Sequence, residues 1–145
     1  MDTNNKFKIF LVDDDLFCTS IYLQHLQNLG YTDITTFENG ADCLNLLTQQ
    51  PEVIFLDHGM ATMPGLEVLK KIKRFSPDIY VIFLSGQENI ETAVSALKYG
   101  AFDYIVKGSA ELDKITNVMT KIIAVKQILN RPKRSFFNKI MASFI

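Results

Sequence analysis

The sequence feature that most constrains the fold is an alternation between short apolar runs and segments with helical periodicity. Apolar runs that are each followed by a helical segment are typical of parallel strands joined by crossover helices. Runs that are apolar at nearly every position are expected where helices cover both faces of the sheet. The sequence therefore predicts an α/β fold of the (βα)5 type, a doubly wound five-stranded parallel sheet. The predicted strands are residues 7–12, 34–37, 53–56, 79–84 and 104–106.

The helical segments place apolar or semi-polar residues at steps of three and four, so each has one face suited to packing on a sheet. In the first segment a glycine at position 30 ends the pattern. Its stripe consists of Cys18, Ile21, Tyr22, His25, Leu26 and Leu29. Further helices are predicted at residues 40–49, 66–75, 89–99 and 111–129.

Length and composition indicate one globular domain. The chain has 145 residues, 48% hydrophobic and 21% charged, which is enough to bury a core. Its apolar runs fall short of the roughly 18 residues of a membrane span, its start is too polar for a signal peptide, and two cysteines do not form a disulfide scaffold. We therefore expect a cytoplasmic protein, with residues 1–5 disordered, 6–129 folded, and 130–145 a basic linker and amphipathic tail.

The charge of the chain changes sign near its end. Residues 1–130 carry 11 Lys+Arg and 16 Asp+Glu, a net charge of −5, whereas residues 131–145 carry four bases and no acid. The body is therefore not expected to bind nucleic acid directly. The tail repeats large apolar residues along one face. This face could pack on the body, contact a partner or a second copy, or anchor at a membrane surface, of which the membrane contact is not favoured. Alternatively, the tail could be a stub of a longer protein. This face comprises Phe136, Phe137, Ile140, Met141, Phe144 and Ile145.

Polar residues gather where the predicted strands end, and a ligand site in an open α/β sheet lies beyond the carboxyl ends of its strands. A dinucleotide-binding protein would have a glycine-rich phosphate loop after the first strand, whereas this chain has three consecutive acids there. A single acid after a strand often only caps a helix, and Asp14 or Asp15 could cap the first one. The combination is harder to explain by capping. The strand ends carry Asp13, Asp14, Asp15, Asp57, Ser85 and Lys107.

This set of side chains points to phosphoryl chemistry. Carboxylates brought together from two strand ends repel each other, and a hard divalent cation, Mg²⁺ or Mn²⁺, relieves that repulsion. The cation then allows a phosphoryl group to approach. A lysine ammonium group and a serine hydroxyl can hold phosphoryl oxygens whose charge grows during transfer.

These residues resemble the response regulator receiver domain of two-component signalling, in its chemotaxis-regulator-like form, over about residues 6–129. The resemblance implies the flavodoxin-like strand order 2-1-3-4-5. The stretches that carry it are IFLVDD at 9–14, IFLD at 54–57, MPG at 63–65, VIFLSG at 81–86 and ALKYGAFDYIVK at 96–107.

The resemblance implies a role for each residue of the set. Asp57 would be the phosphoacceptor, taking a phosphoryl group from a sensor histidine kinase or a histidine phosphotransfer protein. Ser85 and Lys107 would bind phosphoryl oxygens, and Tyr104 would change rotamer when Ser85 moves. No organic cofactor is implied. The implied metal ligands are the side chains of Asp13, Asp14 and Asp57 and the backbone carbonyl of Gly59.

The implied function is a phosphorylation-controlled binding module, not an enzyme, although it takes part in its own phosphorylation and autodephosphorylation. Its output would be binding of a downstream protein or a second copy through the fourth helix, fifth strand and fifth helix, a surface that would include Tyr99 and Tyr104. Gly108 follows Lys107 where the family usually has a proline after a cis peptide. A cis bond before glycine costs about 2.5 to 4 kcal/mol, so we expect a trans bond and a looser loop.

Two other interpretations fit part of this pattern. Asp13-x-Asp15 after an apolar strand, with a later strand ending in serine, also resembles the haloacid-dehalogenase phosphatases, in which Asp13 would be the nucleophile and Asp15 the general acid. Against this, Leu16 stands where that family prefers threonine or valine, and the chain has no room for a cap. A third interpretation is a pseudo-receiver that binds partners without regard to phosphate.

Overall fold

The structure is a computed structural model and describes residues 7–86, 89–130 and 141–143. Strands and helices alternate along it, as the sequence predicts. The strands are β1 (Lys8–Val12), β2 (Asp33–Phe37), β3 (Val53–Asp57), β4 (Tyr80–Ser85) and β5 (Asp103–Val106). The helices are α1 (Leu16–Asn28), α2 (Gly40–Asn45), α3 (Gly65–Phe75), α4 (Ile90–Lys98) and α5 (Glu111–Leu129).

The strands form a single parallel sheet with the order β2-β1-β3-β4-β5. The α/β (βα)5 prediction and the implied order are confirmed. The chain moves outward from β1 to β2 and then crosses to β3 on the other side of β1. This reversal leaves a crevice beyond the carboxyl ends of β1 and β3, where open α/β sheets bind ligands.

Side chains of successive strand residues point to opposite faces and build two cores. On one face, Phe10 and Val12 of β1 pack with buried residues of α2, α3 and α4. On the other, Ile9 and Leu11 pack with buried residues of α1 and α5. Both faces are covered, which explains why the central strands are almost wholly apolar.

Two predicted helices differ in detail from the structure. The segment predicted at 40–49 is helical only to Asn45, and a 3-10 turn at Leu47–Gln49 follows, because Gln50 is left-handed (φ 60°) and Pro51 cannot continue a helix. In α1 the predicted stripe is confirmed for Tyr22 and Leu26, which are buried. Ile21 is 36% exposed, since the face that meets the sheet runs through positions 19, 22 and 26.

The predicted linker and most of the apolar face predicted for the tail lie outside the described residues, so they stay predictions. The described tail residues, 141–143, are helical and exposed. In the part of the chain that the structure describes, none of the helices combines the length and the apolar composition needed to cross a lipid bilayer.

Candidate functional site

The site lies at the carboxyl edge of the sheet, where the strand order brings the predicted residues together. Asp13 follows β1, Asp57 is the last residue of the adjacent β3, and Ser85 is the last residue of β4. Lys107 directly follows β5, and its N–H donates to the Ser85 carbonyl at 2.8 Å. Asp13, Asp57 and Ser85 are all buried. Residues up to 94 positions apart therefore share one crevice.

The central contact of the site is made by Lys107. Its Nζ lies 2.8 Å from Asp13 Oδ2 and 2.8 Å from Asp57 Oδ1. The other oxygen of Asp13, Oδ1, accepts the N–H of Asp15 at 2.9 Å. The ammonium group thus bridges the two buried acids, and the backbone after β1 holds the first of them in place.

Burial and charge set the protonation of these groups. Desolvation raises the pKa of Asp13, and this exceeds the opposing effect of its hydrogen bonds from Lys107 and from the Asp15 N–H. Desolvation of the Lys107 ammonium group opposes its charge, but its bonds to Asp13 and Asp57 outweigh this and raise the pKa of Lys107. Lys107 therefore stays charged over the neutral range.

The acids fit a divalent cation. Oxygen atoms of Asp13, Asp14 and Asp57 lie within 4.8 Å of one another, and Asp14 is exposed at the mouth of the crevice. An added Cβ at Gly59 would lie 3.9 Å from Asp57 Oδ2, so residue 59 flanks that carboxylate. Three clustered carboxylates, two of them bound to the Lys107 ammonium group, leave an excess of negative charge, and oxygen ligands of this kind suit Mg²⁺.

Asp15 has a different role from Asp13 and Asp14. It is the N-cap of α1, where its carboxylate accepts the N–H groups of Phe17 and Cys18. These bonds lower the pKa of Asp15, chiefly the one from Cys18. A carboxyl with a lowered pKa that is already bonded to a helix N-terminus is poorly suited to act as a general acid, which counts against the phosphatase interpretation.

Tyr104, the predicted switch residue, is partly buried on β5. Its ring packs edge-on against Phe83, with ring centroids 6.2 Å apart. Phe83 in turn makes an edge-on contact with His58, the residue after Asp57, at 5.4 Å. The rotamer change expected of Tyr104 stays a prediction.

Sequence reasoning missed two residues that support the site. Thr19 is buried in α1, and its hydroxyl donates to the carbonyl oxygens of Asp13 and Asp15 at 3.4 and 3.1 Å. Glu111 opens α5 and accepts the N–H of Gly108 at 3.1 Å. An acid in the first turn of a helix is a recognisable capping signal, but its partners depend on the fold. The Lys107–Gly108 bond is trans, as expected.

Comparisons with known proteins agree with this geometry. The family described as the response regulator receiver domain matches residues 9–120. The transcriptional regulatory protein ZraR of Klebsiella oxytoca is 33% identical over 125 residues, which cover 86% of this chain and 28% of that protein. The DNA-binding transcriptional regulator NtrC of Escherichia coli K12 is 34% identical over 131 residues, which cover 90% of this chain and 28% of that protein. The chain thus spans less than a third of the length of these relatives.

Solved structures show the same likeness. The receiver domain of NtrX from Brucella abortus has a TM-score of 0.73 and 31% identity, covering 79% of this chain and 96% of that one. The BeF3-activated receiver domain of DrrB, a Thermotoga maritima protein, has a TM-score of 0.73 and 28% identity, covering 81% of this chain and 97% of that one.

Proposed function

Since the chain belongs to the response regulator receiver domain family of two-component signalling, we propose that its Asp57 accepts a phosphoryl group from a sensor histidine kinase or a histidine phosphotransfer protein. The observation that carries this proposal is the position of the Asp57 carboxylate. It is buried at the carboxyl end of β3, with Lys107 Nζ 2.8 Å from Oδ1 and the Asp13 carboxylate bound to the same ammonium group.

The proposed transfer is a direct displacement at phosphorus. One carboxylate oxygen of Asp57 forms a bond to phosphorus while the P–N bond to the partner's imidazole breaks, and the electron pair of that bond stays on the ring nitrogen. Negative charge grows on the phosphoryl oxygens during this transfer. Lys107, which stays charged, and the hydroxyl of Ser85 would hold these oxygens at the end of the sheet.

Mg²⁺ is the proposed cofactor. Asp13, Asp14 and Asp57 would hold it through carboxylate oxygens, together with the backbone carbonyl of Gly59. When bound, Mg²⁺ offsets the carboxylate charge and stabilises negative charge on phosphoryl oxygens. Asp13 and Asp57 are oriented by Lys107, and Asp13 also by the Asp15 N–H, so both acids have fixed positions before a cation arrives.

Magnesium is expected to stabilise the folded protein. A ligand that binds only the folded state at about ten times its dissociation constant adds about 1.4 kcal/mol, which for a domain of this size raises the melting temperature by roughly 3 to 6 °C. Asp14→Asn should reduce this shift, because Asp14 is exposed and lies in the carboxylate cluster. A thermal melt with and without MgCl₂ at constant ionic strength measures both effects.

Asp78→Asn is the matched control for this melt. Asp78 is exposed and precedes β4, so it lies at the amino ends of the strands, opposite the site. Its loss should therefore leave the magnesium-induced shift in melting temperature unchanged. A wild-type melting curve that does not respond to magnesium, or equal losses in the two variants, would contradict a metal site at the acidic cluster.

The output of the module is proposed to be phosphorylation-dependent binding through α4, β5 and α5. The support is an apolar stripe on α4, where Ile90, Val94 and Leu97 are 80%, 57% and 51% exposed. Soluble monomers rarely keep such stripes in contact with water.

We propose residues 6–129 as the receiver unit, because α5 ends at Leu129. A cytoplasmic location is also proposed. Activities of the longer relatives are not assigned to this chain.

The direct test is incubation with acetyl phosphate and MgCl₂, followed by intact mass measurement and peptide mapping. We expect one added phosphoryl group, on Asp57, that requires magnesium and is lost over time through autodephosphorylation. A modified residue other than Asp57 would disprove the assignment of the acceptor. An unmodified protein under conditions where magnesium binds would favour the pseudo-receiver interpretation.

A further inference from the structure

The loop that carries Lys107 has an unusual backbone. Gly108 has a φ of +81°, and Ala110, the residue before α5, has a φ of 53°. An added Cβ at Gly108 would meet no atom within 4 Å, so glycine is required there by its backbone angle and not by lack of space. Proline, with φ fixed near −65°, cannot take this conformation. Glycine is also the most flexible residue, so the loop needs restraints from outside itself.

Glu111 supplies such a restraint. Its Oε1 accepts the N–H of Gly108 at 3.1 Å, and its Oε2 accepts the hydroxyl of Tyr22 on α1. Tyr22 is only 2% exposed and belongs to the core between the sheet and helices α1 and α5. Burial, and then the bond to Glu111, raise the pKa of Tyr22, so the phenol keeps its proton and remains a donor. The carboxylate therefore ties the Gly108 peptide to the core.

The two peptide groups that flank the Cα of Lys107 are both held. The N–H of Lys107 donates to the Ser85 carbonyl at 2.8 Å, and the N–H of Gly108 belongs to the peptide group on the other side. Fixing both groups fixes the backbone dihedrals of Lys107 and hence the direction in which its side chain leaves the chain. At the far end, Nζ is held by Asp13 and Asp57.

We propose that Glu111 is a positioning residue for Lys107. The Glu111 carboxylate ties the Gly108 peptide to the Tyr22 hydroxyl and thereby directs the Lys107 ammonium group toward the proposed phosphorylation site at Asp57. The inference rests on the proposed function, since it assigns Glu111 to the transfer step there. It deepens that proposal by linking the site to the contact between α1 and α5. Glu111 does not touch the reacting atoms; it acts through Lys107.

The test compares phosphorylation by acetyl phosphate at saturating MgCl₂ in four proteins: wild type, Glu111→Ala, Glu111→Gln and Asp113→Asn. Glu111→Ala should slow transfer about tenfold, because a misplaced lysine no longer meets the developing charge. Glu111→Gln should restore most of the rate, because its amide oxygen can still accept the Gly108 N–H and its amide NH₂ can donate to the hydroxyl oxygen of Tyr22. Asp113→Asn removes an exposed charge from the same turn of α5 and should match wild type.

A second measurement separates positioning from general loosening of the fold. The apparent dissociation constant for magnesium, from melts at increasing MgCl₂, should stay within about twofold of wild type in Glu111→Ala, because the carboxylates are unchanged. Amide exchange at Gly108 should become faster in the same variant. General loosening would weaken magnesium binding and transfer together, and that result would overturn the proposal.

Tyr22→Phe covers the case in which Glu111→Ala does not fold. It keeps the buried ring and removes the hydroxyl that donates to Glu111, so transfer should slow while magnesium binding holds. If the wild type is phosphorylated on Asp57 and every folded variant matches its rate, the role of Glu111 is wrong and the proposed function stands. If the wild type itself is not phosphorylated, the proposed function fails and the role of Glu111 fails with it.

Discussion

Replacing Asp57 with asparagine should abolish stable phosphorylation, with a fall in rate of at least about a thousandfold. The amide that results is a poor nucleophile and cannot form the acyl phosphate bond. The fold should persist, because Lys107 keeps its bond to Asp13 and the amide has nearly the shape of the carboxylate. Intact mass after incubation with acetyl phosphate and MgCl₂ measures the loss, and a thermal melt checks the fold.

Asp78→Asn again provides the control, since it removes a carboxylate from the amino ends of the strands, opposite the site. This variant should be phosphorylated like wild type. If Asp57→Asn retained normal stoichiometry, another residue would have to be the acceptor. Modification at Asp13 in wild type would revive the phosphatase interpretation, and Asp13→Asn would then be the variant to examine.

Gly65→Ala should be the most destabilising single substitution at the edge of the site, by about 3 kcal/mol. An added Cβ would lie 2.5 Å from the carbonyl oxygen of Asp57, 2.7 Å from Phe83 Cε2 and 2.8 Å from His58 Cα. Two of these three atoms belong to the backbone and cannot move aside by a change of rotamer. Alanine has a better intrinsic helix propensity than glycine by about 1 kcal/mol, so the predicted sign depends on the steric overlap.

Urea denaturation of Gly65→Ala beside Gly86→Ala measures this effect. An added Cβ at Gly86 would have no atom within 4 Å, so that variant should keep nearly the wild-type stability. Equal stabilities for wild type and Gly65→Ala would show that α3 can shift away from the loop after β3. The overlap also explains the glycine of the Met63-Pro64-Gly65 motif, because only glycine lets the start of α3 approach Asp57 and donate its N–H to the His58 carbonyl at 3.2 Å.

The fold was predictable because its signals are local and repeated. Burial on both faces demands continuous apolar strands, and each predicted strand agrees with the observed one to within one residue at both ends. The end of the second helix was less predictable. The end of α2 at Asn45 depends on how the chain turns at Gln50 to enter β3, and the apolar pattern of residues 40–49 does not record that turn.

The sequence predicts which residues form the candidate site, but it does not predict how their roles differ. Three consecutive acids after β1 have the same chemistry in the sequence. The folded chain separates them: Asp13 is buried against Lys107, Asp14 is exposed at the cluster, and Asp15 caps α1. The difference arises because successive residues leaving a strand point in different directions, and only the start of α1 decides which carboxylate meets its free N–H groups.

Strand periodicity and residue chemistry are properties of short segments. The class of fold, the end of the sheet that carries the polar residues and the kinds of side chain found there can therefore be predicted from the amino-acid sequence. Contacts between distant segments are visible only in the folded chain. Lys107 reaches Asp13 across 94 positions, and Glu111, which also binds Gly108, reaches Tyr22 across 89. Such pairs depend on strand order and helix packing, and the separation of two residues along the chain does not indicate whether they are in contact.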